Sequence, residues 1–145
     1  IYTGEIRNWK EVGGADQPIL AAGQLPGSPA SFIWNKIVLD GETFPSVDTK
    51  KMDARHVLKY VEDHPYAIGY GALHLTKKSS KVKNVSVDHV LVNPDTIMTS
   101  PYRLKRELVF YTLPDSSPDV KNFVAYVVAH GQEQINQMMF NNQNQ

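Results

Sequence analysis

Pro18 to Val38 reads PILAAGQLPGSPASFIWNKIV, and this stretch decides the fold. Ile19, Leu20, Ala21 and Ala22 form an apolar run of buried-strand length. Gly23 to Gly27 is turn material, with one proline and two glycines in five residues. Ser28 is suited to cap a helix, and Pro29 to its first position, where φ near −65° is already helical. Ala30, Ile33, Trp34, Ile37 and Val38 then recur at helical spacing and make one apolar face. A strand, a glycine turn and a helix in this order aim free backbone N–H groups and the helix dipole above the turn. That arrangement favours an anion. A helix cap with no ligand is the alternative reading.

Working outward, the 145 residues suffice for one domain with a core. Formal net charge is +0, which argues against a general nucleic-acid or membrane-surface binder. Lys77, Lys78, Lys81 and Lys83 read as a solvated loop. No apolar run approaches the ~20 residues of a membrane span, so no membrane insertion is expected. The chain has no cysteine, hence no disulfide and no thiolate chemistry. It begins at Ile1 without methionine, and a fragment of a longer protein is the expectation.

Upstream of the central stretch, Ile6, Trp9 and Val12 predict a short helical turn ended by Gly13 and Gly14. Downstream, Asp48 is the expected cap of a second helix, with Ala54, Val57, Leu58 and Val61 as its apolar face. His64-Pro65 stops it. Ala67 to Leu73 reads as a strand rich in small residues. Val82, Val85, Val87 and Val90 suggest another strand. Leu108 to Tyr111 is strongly β by propensity. Val120, Phe123, Val124, Val127 and Val128 predict an amphipathic helix from Val120 to Ile135. The alternation of strands and helices favours an α/β sandwich.

Six segments then carry a resemblance: IYTGEIRNWKEVGG, PILAAGQLPGS, VEDHPYAIGYGAL, VSVDHVLVNPDT, YRLKRELVFYT and DVKNFVAYVVAHGQEQI. In this order the chain resembles the phosphate-binding protein family of ABC importers, the periplasmic type 2 substrate-binding proteins. The resemblance covers nearly the whole chain. It implies an α/β fold: one lobe of a periplasmic-binding-protein-like fold, with a mostly parallel central sheet and helices on both faces. Residues 1–145 would form a single domain, the second lobe and the C-terminal return of a two-lobed protein.

In that family the turn before the lobe-two helix reads roughly Arg-x-x-Gly-Ser-Gly-Thr, and it binds phosphate oxygens. The resemblance places ligand contacts at Gln24, Gly27, Ser28, Ala30 and Ser31. Gly27 and Ser28 keep the pattern. Gln24 cannot offer a charge-assisted fork to an oxyanion. Pro29 lacks an N–H and Ala30 a hydroxyl. Each lost bond to a charged ligand is worth roughly 1.5–3 kcal/mol.

The implied function is the solute-binding component of an ABC importer for phosphate or a similar small oxyanion. Implied partners are that oxyanion, an ABC permease when the protein is intact, and the missing first lobe or a partner chain. No nucleic acid is among them. Location would be periplasmic or extracellular, with a membrane anchor in a preceding N-terminal segment as one option. The alternative is a sensory or protein-interaction domain that keeps the lobe fold without binding phosphate.

Catalysis is not expected. GSP at Gly27–Pro29 lacks the G-x-S-x-G elbow of a hydrolase nucleophile. His56, His64, His74, His89 and His130 show neither HxH nor HExxH spacing, so no metal is expected, and no cofactor. Asp48, Asp53, Glu62 and Asp63 read as a solvated helix face. The two tryptophans and seven tyrosines read as core. Phe123, Val127 and their neighbours are expected to pack on a partner chain or a rearranged core.

Overall fold

The computed structural model describes residues 1–41, 49–77, 79–93, 95–97, 99–106 and 109–138. Strand β1 (Leu20–Gln24) lies at the centre of a three-stranded sheet, between β2 (Thr49–Met52) and β3 (Ala67–Gly69). Both pairings are parallel: Ala21 faces Thr49 on one side and Ile68 on the other. Parallel neighbours need helical crossovers, supplied here by α1 (Pro29–Ile37) and α2 (Ala54–Asp63). The first crossover steps to one edge and the second steps back across β1 to the other. Right-handed connections therefore put the two helices on opposite faces.

Side-chain alternation agrees. Ala21 and Ile68 face α1, joining a core with Ala30 and Trp34. Gly69 points the other way, where an added Cβ would come within 2.8 Å of Val57 and 3.1 Å of Val61 on α2. A side chain there would overpack that layer.

The α1 face holds three aromatic rings. Trp34 stacks on Tyr70 with centroids 4.4 Å apart, and Tyr2 meets both rings edge-on at 4.9 and 5.8 Å. The Tyr2 hydroxyl donates toward the carbonyls of Ala22 (3.2 Å) and Ile68 (3.3 Å), tying the N-terminal segment across β1 and β3. Burial pushes the Tyr2 hydroxyl well above the usual tyrosine range, with Tyr70 adding to it. Tyr2, Trp34 and Tyr70 are core, as the sequence predicts, whereas Tyr66, Tyr111 and Tyr126, also expected in the core, are exposed. A 3-10 turn forms at Trp9–Val12 and ends on Gly13 at φ +84°, also as expected.

Several boundaries differ. Asp48 lies outside the described residues, and α2 is capped by Asp53 instead. The Asp53 carboxylate accepts from the amides of Arg55 and His56 at 3.0 and 3.1 Å. The four residues before it are strand β2, whose TKKM sequence shows no apolar run because it is an edge strand with Lys50 and Lys51 in solvent. The strand at Ala67 ends at Gly69, and Leu73 opens a single helical turn, α3 (Leu73–Thr76).

The strand expected through Val82–Val90 is absent among the described residues, where only Val87 and Val90 pair. Lys81, Lys83 and Asn84 are exposed, and no strand among the described residues covers the valines. Leu108 is outside the described residues. Val109, Phe110 and Tyr111 form no ladder and are 63%, 53% and 92% exposed. Strand propensity expresses itself only against a partner.

Helix α4 (Pro118–Asn136) matches its prediction, capped by the Ser117 hydroxyl. Among the described residues it shares no extended packing face with the sheet or with α1–α3. Phe123 is 62% exposed, which corrects the expectation of a rearranged core; Val127 is half-buried.

Two predictions arise from these local features. The backbone amide of His56, then its ring, then the amide of Arg55 hold Asp53 below the usual carboxylate range. A depressed folded value means the cap stabilises α2 above the ordinary aspartate range of about 3.9 and is lost as pH falls through the folded value. Asp53→Asn keeps a capping oxygen without titrating. Its far-UV circular dichroism in acid will therefore lack the wild-type step assigned to α2.

Asp88 and His89 fill a two-residue hairpin turn with φ of 50° and 63°. Such turns favour glycine at the second position. Relief of about 1–2 kcal/mol of left-handed strain exceeds glycine's entropic cost of about 0.5–1 kcal/mol. His89→Gly should raise stability by about 0.5 kcal/mol in urea titrations.

Candidate oxyanion site at the first turn

The site is built where β1 leaves the sheet. Leu25, Pro26, Gly27 and Ser28 close a four-residue turn, with the Ser28 amide donating to the Leu25 carbonyl at 3.2 Å. Proline second and glycine third, with Gly27 at φ +85°, is the pattern of a type II turn. The Leu25 amide also donates to Met52 at the end of β2, at 3.0 Å, fixing the turn to the sheet. Ser28 then caps α1: its hydroxyl oxygen accepts from the Ser31 amide at 3.1 Å. The Ser31 hydroxyl donates back to the Ser28 carbonyl at 2.9 Å.

These bonds divide the expected contact residues into engaged and open groups. Ser31 is 5% exposed, and both its amide and its hydroxyl are engaged in the cap. The Ser28 amide is engaged in the turn. Among the described residues, the amides of Gly27 and Ala30 make no internal hydrogen bond. They are the donors the turn leaves open, together with the proton of the Ser28 hydroxyl. The favourable dipole of α1 points the same way, worth about 0.3–1 kcal/mol.

Gln24 ends β1 and is 6% exposed. Its amide nitrogen reaches toward Gly71, 3.6 Å from where a Cβ on that glycine would sit. No hydrogen bond forms between its side chain and a described residue. Burial raises the Tyr70 hydroxyl above the usual range, and the backbone amide of Gln24 partly offsets the rise.

A concavity of about 560 Å³ opens beside the turn, lined by Gly27, Ser28, Pro29, Ser31 and Phe32 and by Arg106. Arg106 is the residue that sequence reasoning missed. It lies some eighty positions from the turn, so no local spacing signals the approach.

Among the described residues no cluster of three metal-ligating side chains occurs. No described helix is long and apolar enough to cross a membrane.

Known proteins give this geometry a context. Residues 1–130 match the PBP superfamily domain. The chain is 33% identical over 128 residues to the phosphate-binding protein PstS of Bacillus subtilis, covering 88% of this chain and 42% of that protein. It is 32% identical over 121 residues to PstS of Borreliella burgdorferi, covering 77% of this chain and 43% of that protein. The chain thus spans less than half the length of these relatives.

Among solved structures, it is similar to a substrate-binding protein of a phosphate ABC transporter from Clostridium perfringens with bound phosphate. Identity is 27% and the TM-score 0.72, over 93% of this chain and 56% of that one. An ABC-type phosphate transport receptor from Vibrio cholerae has a TM-score of 0.77 at 20% identity, over 96% of this chain and 58% of that one. At that identity the likeness speaks for the fold alone.

Proposed function

The chain belongs to the PBP superfamily, and from that premise we propose that it is part of the solute-binding component of an ABC importer for phosphate or a similar small oxyanion. One observation carries the reading: the turn before α1 presents the unbonded amides of Gly27 and Ala30 at a helix N-terminus. Relatives and a structural neighbour named for phosphate binding support it. The chemistry is capture, with no bond made or broken. The anion would accept hydrogen bonds from the turn, and the rest of the protein would close over it.

On this reading the partners are a permease and a further lobe. That lobe would cover the exposed Phe123 stripe of α4, and the whole would work in the periplasm or outside the cell. Affinity of this chain alone should be millimolar, about 4 kcal/mol, because it holds only part of a cleft. Titration with inorganic phosphate, followed by calorimetry or phosphorus NMR, tests the reading. Saturable binding at the turn supports it, and no binding up to tens of millimolar rejects it.

A second reading has its own support. Gln24 brings no charge, Pro29 no amide, and the donors of Ser31 are spent on the cap. A sensory or protein-interaction domain that keeps the fold without the ligand would look like this. Loss of phosphate binding in the intact protein as well would favour it.

A further inference from the structure

We propose that Arg106 is the cationic contact of the oxyanion site, so that the anion bridges the α1 turn and the segment 99–106. The inference rests on the oxyanion reading above and adds the source of its positive charge. Arg106 lines the same concavity as Gly27 and Ser28. Its guanidinium makes no ion pair or hydrogen bond among the described residues. Arg103, on the same segment, is already paired with Asp88 at 3.2 Å.

The base of Arg106 is held in place. Lys105 next to it donates to the Ser100 carbonyl at 2.9 Å, and the Tyr102 amide donates to the Ser100 hydroxyl at 3.2 Å, closing the loop from which Arg106 projects. Gln24, 6% exposed and immediately before the turn, brings only a neutral amide, so the strand itself supplies no charge. A neutral donor on the strand and a planar cation on the return segment together replace one arginine on the strand. Guanidinium geometry suits two oxygens of a tetrahedral anion.

The test measures inorganic phosphate binding by phosphorus NMR line width and by calorimetry. The proteins are the wild type, Arg106→Gln, Arg106→Lys and Arg103→Gln, each checked for folding by far-UV circular dichroism. Loss of one charge-assisted contact should weaken binding about ten-fold or more in Arg106→Gln. Arg106→Lys should fall between, since a lysine keeps the charge but not the fork. Arg103→Gln should match the wild type. If the wild type binds and Arg106→Gln binds equally well, the assignment of Arg106 is wrong while the oxyanion reading stands. Equal losses in Arg103→Gln and Arg106→Gln would also overturn it, since only general charge would then be acting. If the wild type itself fails to bind, the oxyanion reading falls and takes Arg106 with it.

Discussion

Trp34→Ala should lower the unfolding free energy by about 3 kcal/mol, near the lower end of the range for removing a large aromatic side chain from a core. Trp34 is only half-buried, which places it at that end. Yet it stacks on Tyr70 and receives the edge of Tyr2, so its removal undoes two ring contacts at once. Tyr2 then loses the wall that holds its hydroxyl over the Ala22 and Ile68 carbonyls. Against a total stability of about 5–15 kcal/mol, the loss is large. Urea titration measures it, and the neighbouring Phe32→Ala is the internal comparison. Phe32 is 67% exposed, so its truncation should change stability by less than about 0.5 kcal/mol. Similar effects for the two would show that the aromatic cluster is not the organising core.

The largest functional effect is expected from rebuilding the turn. Gln24→Arg adds a cation at the end of β1, Pro29→Gly restores an amide, and Ala30→Thr adds a hydroxyl. With each bond to a charged ligand worth about 1.5–3 kcal/mol, even partial success should tighten phosphate binding about a hundred-fold. Some of the gain will be offset, because Pro29 pre-sets the first helical φ and glycine does not. Calorimetry at low and high salt separates direct contact from a screened charge, since only the latter weakens steeply with ionic strength. In the triple variant Arg106→Gln should cost less than in the wild type, because two cations would then serve one anion. A folded triple variant that binds phosphate no better than the parent would refute the cradle.

Much of this was legible in the chain because its signals are local. The Ser28-Pro29 cap appears as read, while the turn expected over Gly23–Gly27 is shorter, because Gly23 and Gln24 belong to strand β1. The family resemblance rested on segments in register, and the PBP superfamily match covers residues 1–130.

What escaped was mostly non-local. Strand β2 is a polar edge, TKKM, and reveals itself only by pairing with β1. The valines from Val82 to Val90 promise a strand that finds no neighbour among the described residues. Ser31 looked like a donor, but its partner is its own helix cap. Arg106 reaches the turn through the path of the whole chain, which no spacing rule encodes.

The central place of β1 also sets an order of events. Its hydrogen-bonding edges belong to residues 49–52 on one side and 67–69 on the other, both later in the chain. During synthesis the apolar LAAG run therefore keeps its β3 edge open until the segment through Gly69 has emerged. The Tyr2 hydroxyl, whose second acceptor is the Ile68 carbonyl, waits with it. Loop closure has to precede any reward from pairing, so the sheet forms late and nearly all at once. Of the three strands, the one that leads into the α1 turn is thus made first and completed last, and a ribosome-bound chain ending before Ile68 would present its open edge as a ready partner for a chaperone.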